Sequence, residues 1–134
     1  MKTVVYWTLM FRVSTREKAE KQISRAREIL GGDLTLTKCE RYWKIPELWR
    51  CEAETVFESS SPAEQIGGCL GLANKLANGW HVLGPHMNQD GVIEAFVGIF
   101  ARREQSAAVQ SLEWAEFQLG EAAPSKQTGA AAQD

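Results

Sequence analysis

The stretch of sequence that decides the fold is Val4–Leu30, which reads VVYWTLMFRVSTREKAEKQISRAREIL. It opens on an almost continuously apolar run, which is typical of a central β-strand covered on both faces. The capping-box sequence Ser14–Glu17 follows and predicts the start of an α-helix, with Ser14 as the N-cap residue. Apolar residues then recur at helical spacing until Gly31–Gly32, where a left-handed turn can end the helix. We therefore predict a strand followed by a helix over Ser14–Leu30.

The chain after this stretch repeats the alternation of strand and helix. Two strand-like runs flank Ile45–Pro46, and the proline favours a turn there because it cannot donate a ladder hydrogen bond. A second capping box starts at Ser61 and predicts a helix that ends at Ala77. Further strand-like sequence surrounds the Asp90–Gly91 turn signal. The order β-α-β-β-α-β predicts an α+β fold, a ferredoxin-like antiparallel sheet with helices on one face.

The C-terminal third is predicted to extend this plan. Trp80–Leu83 and Val92–Arg102 are expected to form a β-hairpin. Arg103–Leu119 is expected to form a third helix, because alanine and leucine recur there at helical spacing. The expected fold is therefore ferredoxin-like with an added C-terminal hairpin strand and helix. We predict a single α+β domain over residues 1–119 and a flexible C-terminal tail over residues 120–134, which are rich in Ala, Gly, Gln and Ser.

Charge predicts the register of the first hairpin. Pairing Glu40 with Arg50 and Lys38 with Glu52 places opposite charges directly across the two strands, which is the favourable arrangement. A shift of the pairing by two residues would instead set Glu40 against Glu52. In the favoured register the four charged side chains share the face of the sheet that points away from the helices.

The three cysteines, Cys39, Cys51 and Cys69, are odd in number and lack C-x-x-C spacing. The predicted hairpin register places Cys39 opposite Cys51 on the face under the helices. We predict that all three are free, buried thiols that pack as small apolar side chains. A disulfide, a metal site and a nucleophilic cysteine are the alternatives.

Composition limits the class of protein, its cellular location and the partners that we expect. The chain has 134 residues, is 44% hydrophobic and 24% charged, and carries a formal net charge of −2, which is ordinary for a soluble globular protein. No apolar run approaches the roughly 20 residues of a membrane span, and the N-terminus does not resemble a signal peptide. We therefore expect a cytoplasmic protein that binds neither membranes nor nucleic acids, since general nucleic-acid binders are usually basic. The basic and glycine-aromatic signature of RNA-recognition domains is also absent, and the acidic run Arg50–Glu54 stands in its place.

No pattern in the sequence predicts catalysis or a bound metal. His81 and His86 are the only histidines, and their spacing from each other and from Asp90 matches no metal motif. The chain has no serine-protease-type order and no nucleophile elbow. The glycines within Gly67–Gly71 lie inside a predicted helix rather than before it, so they are a poor phosphate loop. We predict a protein that is not an enzyme and has no cofactor.

Aromatic and charged side chains crowd the turn of the first hairpin. Trp, Tyr and Arg are the residues enriched at protein–protein hot spots, and they predict a partner-binding site composed of Arg41, Tyr42, Trp43, Lys44, Glu47, Trp49 and Arg50. If this tip is an interface anchor, Trp43 or Trp49 should be partly exposed. The alternative is that the tip packs under the chain's own C-terminal helix. A further candidate is the charge polarity between the basic stretch Arg12–Arg27 and the acidic stretch Glu47–Glu64, which would steer a charged partner.

These observations predict a non-enzymatic cytosolic protein-binding module, monomeric or homodimeric, with a protein partner. The size, mild acidity and aromatic tip fit a bacterial immunity-type protein that neutralises a toxin. The alternative function is a dimeric α+β-barrel protein that binds or converts a small apolar molecule. That alternative requires an apolar open sheet face, so the predicted charges of the first hairpin favour the binding module.

Overall fold

The computed structural model of the protein describes residues 1–103 and 106–120. Of the tail predicted over residues 120–134, only Gly120 is within the described residues. No helix in these two ranges is long and apolar enough to span a membrane. The secondary structure comprises, in chain order, β1 (Lys2–Arg12), α1 (Arg16–Ile29), β2 (Thr35–Arg41), β3 (Leu48–Glu58), α2 (Pro62–Leu76), β4 (His81–Met87), β5 (Ile93–Ala101) and β6 (Leu112–Leu119).

The six strands form one sheet in the order β2-β3-β1-β6-β5-β4, with every neighbouring pair antiparallel. The predicted α+β class and antiparallel sheet are confirmed. The ferredoxin-like topology is not confirmed. In that plan the strand after α2 returns to lie beside β1, whereas here β6 takes this place and β4 and β5 are displaced to the edge. β1 is therefore the centre of the sheet, paired with β3 along its whole length.

The predicted C-terminal helix over Arg103–Leu119 is wrong, because Leu112–Leu119 forms β6. The buried residues Ala115, Phe117 and Leu119 alternate with half-buried polar ones, which is the period of a strand. The strand is paired on one side with β1 and on the other with β5, and this pairing outweighs the helical preference of its alanine, glutamate and leucine residues.

The two helices begin at N-caps of the predicted type, although one is displaced by a residue. At α1 the cap is Thr15 rather than the predicted Ser14, and the Thr15 side chain accepts a hydrogen bond of 3.2 Å from the Lys18 backbone N–H. Ser14 instead accepts a hydrogen bond from the Lys18 ammonium group. At α2 the prediction is confirmed, since the Ser61 hydroxyl accepts from the Glu64 backbone N–H at 3.2 Å.

The core lies between the helices and the face of the sheet that they cover. Its centre is an aromatic cluster with ring centroids 5.4–6.4 Å apart, made of Trp7, Trp80, Phe96, Phe100 and Phe117. The indole N–H of Trp80 donates to the carbonyl oxygens of Ala73 and Ala77, both at 2.9 Å. Trp80 therefore satisfies carbonyl groups at the end of α2 and ties that helix to the cluster.

Two glycines allow aromatic rings to lie directly against the backbone. The Phe117 ring covers Gly98 of β5, and the Phe57 ring covers Gly68 of α2, so that a side chain at either glycine would overlap the ring. Gly68 thus permits close approach of α2 to the sheet. Gly67 and Gly71, in contrast, face open space.

The predicted register of the first hairpin is confirmed. Lys38 is paired with Glu52 and Glu40 with Arg50 across β2 and β3. The shortest ion pairs nevertheless run along each strand, at 2.7 Å between Arg50 and Glu52 and 3.5 Å between Lys38 and Glu40. All four charged groups lie on the open face of the sheet, which has no helix over it among the described residues.

The three cysteines are free and buried, as predicted. Cys39 and Cys51 are paired across β2 and β3 with their sulfur atoms 3.5 Å apart. Burial, together with the neighbouring Cys39, raises the pKa of Cys51 above its usual range. Burial in α2 raises the pKa of Cys69 to about 12. Neither thiol therefore has the lowered pKa of a reactive cysteine.

Candidate functional site

The turn between β2 and β3 projects beyond the sheet. The last ladder bond is donated by the Tyr42 N–H to the Leu48 carbonyl oxygen at 2.8 Å, and the Leu48 N–H donates to the Ile45 carbonyl oxygen at 2.9 Å. Residues 43–47 thus form the tip. The Trp43 side chain is 79% exposed there. The expectation of an exposed tryptophan is met, and the alternative in which the tip packs under a C-terminal helix is wrong because that helix is β6.

The exposed indole of Trp43 is held by its immediate neighbours. The Lys44 ammonium lies 5.2 Å from the centroid of the Trp43 ring, within the range of a cation–π contact. The Tyr42 ring packs beside it at 6.4 Å between centroids. These contacts orient a large apolar surface that remains mostly in water.

Arg41 and Trp49 lie on the other side of the hairpin and brace the tip. The Arg41 guanidinium lies 5.1 Å over the Trp49 ring and donates to the carbonyl oxygens of Pro46, at 2.8 Å, and of Ser14, at 3.5 Å. Trp49 is half-buried, and its indole N–H has no hydrogen-bond partner among the residues that the structure describes. Arg41 therefore connects the tip to the segment that enters α1.

A groove of about 280 Å³ lies beside the tip on the open face of the sheet. Trp43 of the tip and Trp114 of β6 both line it. Met10 and Thr8 of β1 also line it, and Met10 is paired with Trp114 in the ladder. The complete lining is Thr8, Met10, Glu40, Arg41, Tyr42, Trp43, Arg50 and Trp114.

The charged groups that line this groove already have partners within the chain. Glu40 is paired with Lys38, and Arg50 is paired with Glu52 at 2.7 Å. Arg41 donates its short hydrogen bond to a backbone carbonyl of the tip. The groove therefore presents aromatic and thioether surface beside the ion-paired side chains of Glu40 and Arg50, while the Arg41 guanidinium keeps its formal charge on the other side of the hairpin, over the Trp49 ring.

The seven residues predicted from sequence are divided between two surfaces. Arg41, Tyr42, Trp43 and Arg50 line the groove, and Lys44 rests on Trp43. Glu47 instead lies on the opposite side of the tip, in a second, more open groove of about 470 Å³ lined by Arg12, Val13, Ser14, Arg41, Pro46 and Glu47. Trp49 is the half-buried brace described above. The binding role of all seven stays a prediction.

Trp114 is the main residue that sequence reasoning missed. It was assigned to a helix, whereas in β6 it shares the open face with the half-buried Glu116 and Gln118. The signal was present, because Ala115, Phe117 and Leu119 alternate with polar residues. Reading that alternation as a strand would have placed Trp114 on the polar side, away from the core.

The opposite edge of the sheet carries a second unusual surface. All seven residues of β4 are exposed, and none of them is Asp, Glu, Lys or Arg. Leu83 is 62% exposed. Val82, Met87 and Val92 are also exposed.

The remaining candidates from sequence are not gathered into a site. His81 and His86 lie in β4, and Asp90 lies in the following turn, where the Asn88 side chain accepts from its backbone N–H. Within residues 1–103 and 106–120, no group of three or more His, Cys, Asp or Glu side chains is placed to hold a metal ion. No protein-family model, curated protein or solved structure matches the chain.

Proposed function

We propose that the protein is a non-enzymatic protein-binding module whose anchor is the β2–β3 hairpin tip. The observation that carries the proposal is the 79% exposure of Trp43 on a braced turn. A large aromatic side chain left in water gains little burial energy in the free protein, and tryptophans that a partner buries are among the strongest interface hot spots. The contacts of Arg41 and Lys44 preorganise the turn, so little conformational entropy is lost when a partner binds.

The more specific form of this proposal is a cytoplasmic bacterial immunity-type protein, active as a monomer or homodimer, that neutralises a toxin. Support comes from the short chain of 134 residues, the mild net charge of −2 and the exposed aromatic tip. A protein that works by occluding a toxin needs a rigid, hot-spot-rich surface rather than a reaction centre.

The test is binding and growth protection with the product of the neighbouring gene in the native host. Trp43→Ala should weaken the complex by about 30-fold, the equivalent of 2 kcal/mol, in isothermal calorimetry. It should also reduce protection of cells that express the toxin. The matched control is Leu83→Ala, which removes another exposed apolar side chain from the opposite edge. The proposal fails if Leu83→Ala abolishes binding while Trp43→Ala retains it.

A second candidate function is a dimeric α+β barrel that encloses a small apolar molecule between two open sheet faces. It is favoured by a strip of half-buried apolar residues on β5, which includes Val97 and Ile99. The middle of the same face opposes it, because Glu52, Thr8 and Glu116 lie there in one row of the ladder. Light scattering separates the two functions. A monomeric mass would rule out the barrel function. A dimer that dissociates on Ile99→Asp would favour it.

A further inference from the structure

We propose that the groove between Trp43 and Trp114 receives an aromatic side chain of the partner protein. This inference rests on the proposed function and adds the chemistry of the contact. Trp43 would then act as one wall of a pocket as well as an exposed anchor, and Trp114 would be a second binding residue that lies far from the tip in sequence.

The walls of the groove suit an aromatic ring. Trp43 and Trp114 both line it, and Met10 lies on β1, between the β2–β3 hairpin and β6. Aromatic rings gain energy from tilted and offset contacts with other rings, and the methionine thioether makes favourable contacts with ring edges. A planar side chain entering here would meet aromatic rings and a polarizable sulfur, since Trp43, Trp114 and Met10 all line the groove.

The charges of the groove disfavour a charged occupant. The carboxylate of Glu40 and the guanidinium of Arg50 are each paired with a neighbour on the same strand. An incoming lysine or carboxylate would have to compete with one of these partners, and it would lose part of its own hydration. An uncharged aromatic group has no such cost.

The small size of the groove suits a single side chain. Its volume of about 280 Å³ lies below the range of roughly 300–1,000 Å³ that is typical of sites for drug-sized ligands. A single aromatic side chain carried by a partner's surface is a better match than a free metabolite.

The experiment is a titration of the full chain, labelled with ¹⁵N in its tryptophan indoles, with N-acetyl-tryptophanamide. The five tryptophans give five indole N–H signals, of which three report on internal positions. Trp7 donates to Thr55, Trp80 donates to α2, and the Trp49 indole N–H is buried. We expect saturable shifts of the Trp43 and Trp114 signals together, while the other three stay still. N-acetyl-leucinamide and N-acetyl-argininamide should shift them much less at equal concentration.

Two variants locate the site. Trp114→Ala should weaken the titration of the Trp43 signal by about tenfold. Thr8→Arg keeps both tryptophans and adds a long side chain to the groove that they line, so it should have a similar effect even if Trp114→Ala proves poorly folded. Shifts of Trp43 alone, equal shifts with the leucine probe, or no saturation with any probe would each overturn the inference.

This outcome is distinguishable from failure of the proposed function. If the partner complex is lost on Trp43→Ala but unchanged on Trp114→Ala and Thr8→Arg, the hairpin anchor stands and the groove does not. If the aromatic probe binds the groove but Trp43→Ala leaves the partner complex intact, the groove exists and the proposed function is wrong.

Discussion

The two hairpins at opposite edges of the sheet, β2–β3 and β4–β5, are built in opposite ways. The edge strand β2 carries Lys38, Glu40 and Arg41, whereas β4 carries no Asp, Glu, Lys or Arg and is exposed throughout. Contacts with α1 cover part of β2 and β3. β4 extends past the helices and is attached through β5, whose Phe96 and Phe100 enter the aromatic cluster.

This difference shows that different interactions determine the register of a hairpin and its attachment to the rest of the protein. Charge pairs define the register of β2–β3 but lie in water, where each contributes little energy. β4–β5 has no such cross-strand charge pairs, and its position depends on apolar packing beneath β5. Charged edge strands also resist pairing with other chains, and β4 lacks that protection, apart from a break in its pairing between Leu83 and His86.

The largest effect should come from breaking the packing under β5. Gly98→Ala places a methyl group into the Phe117 ring, which is fully buried and has no room to move. We expect the free energy of unfolding to fall by about 2 kcal/mol in urea denaturation. Gly71→Ala is the matched control. It faces open space in α2, and it should gain about 0.5–1 kcal/mol. Equal stability of Gly98→Ala and the wild type would show that the ring does not depend on the glycine.

The next effect is a pH dependence that arises in the buried thiols. The Cys69 thiol has its pKa raised from 9.0 to about 12 in the folded chain. Above pH 9 the unfolded chain therefore loses a proton that the folded chain keeps, so stability is full below pH 9 and falls as the pH rises. At pH 10 this amounts to about 1.4 kcal/mol for Cys69. The difference in unfolding free energy between wild type and Cys69→Ala, followed from pH 7 to pH 10, should shrink by that amount. A constant difference would contradict the burial of this thiol.

A smaller effect tests the helix that covers β2–β3. Thr15→Ala removes the N-cap of α1 and should cost about 1 kcal/mol in thermal or urea unfolding. Ser14→Ala should cost almost nothing, because Ser14 only accepts from the exposed ammonium of Lys18. A larger loss of stability with Ser14→Ala than with Thr15→Ala would show that Ser14 is the N-cap, as predicted from the sequence.

The smallest effect concerns the charge pairs across β2 and β3. Glu40→Lys sets like charges across from Arg50 and beside Lys38, and it should cost about 0.5 kcal/mol. Adding Arg50→Glu should restore only the cross-strand part of that loss, because it also replaces the Arg50–Glu52 ion pair with two like charges. High salt should reduce the loss in both variants. On β4 the comparable change Val82→Lys lies across from Gly98, which carries no charge, so it should show no salt-dependent cost. A clear cost there would mean that the uncovered edge is also specified by its side chains.

Local signals predicted the parts of the fold that local physics decides. The caps, the glycine stops and the charge-based register of β2–β3 all depend on residues close to one another in sequence. The predicted hairpin strand over residues 80–83 was too short, since β4 continues to Met87. The position of β6 depends on pairing between Tyr6 and Gln118, and no local pattern encodes a partner so far away.

The candidate site also has a part that local sequence predicts and a part that depends on distant strand pairing. The tip residues were identified from composition alone, because Trp, Tyr and Arg are concentrated around one turn. The groove was not, since Met10, Trp114 and Glu40 come together only after β1 is placed between β3 and β6. The helical spacing of alanines and leucines in the C-terminal third hid Trp114, and the deciding evidence was the competing alternation at Ala115, Phe117 and Leu119.

The central place of β1 has a consequence for the order of events during synthesis. β1 is made before the other strands of the sheet and can pair with β3 early, but its other edge stays open until Leu112–Leu119 has been made. For most of translation, the most apolar strand of the nascent chain therefore offers unpaired backbone groups to its neighbours on the polysome. Closing such a long loop is slow. The yield of folded protein should therefore depend on how quickly the last strand follows, and on chaperones that shield β1 in the meantime.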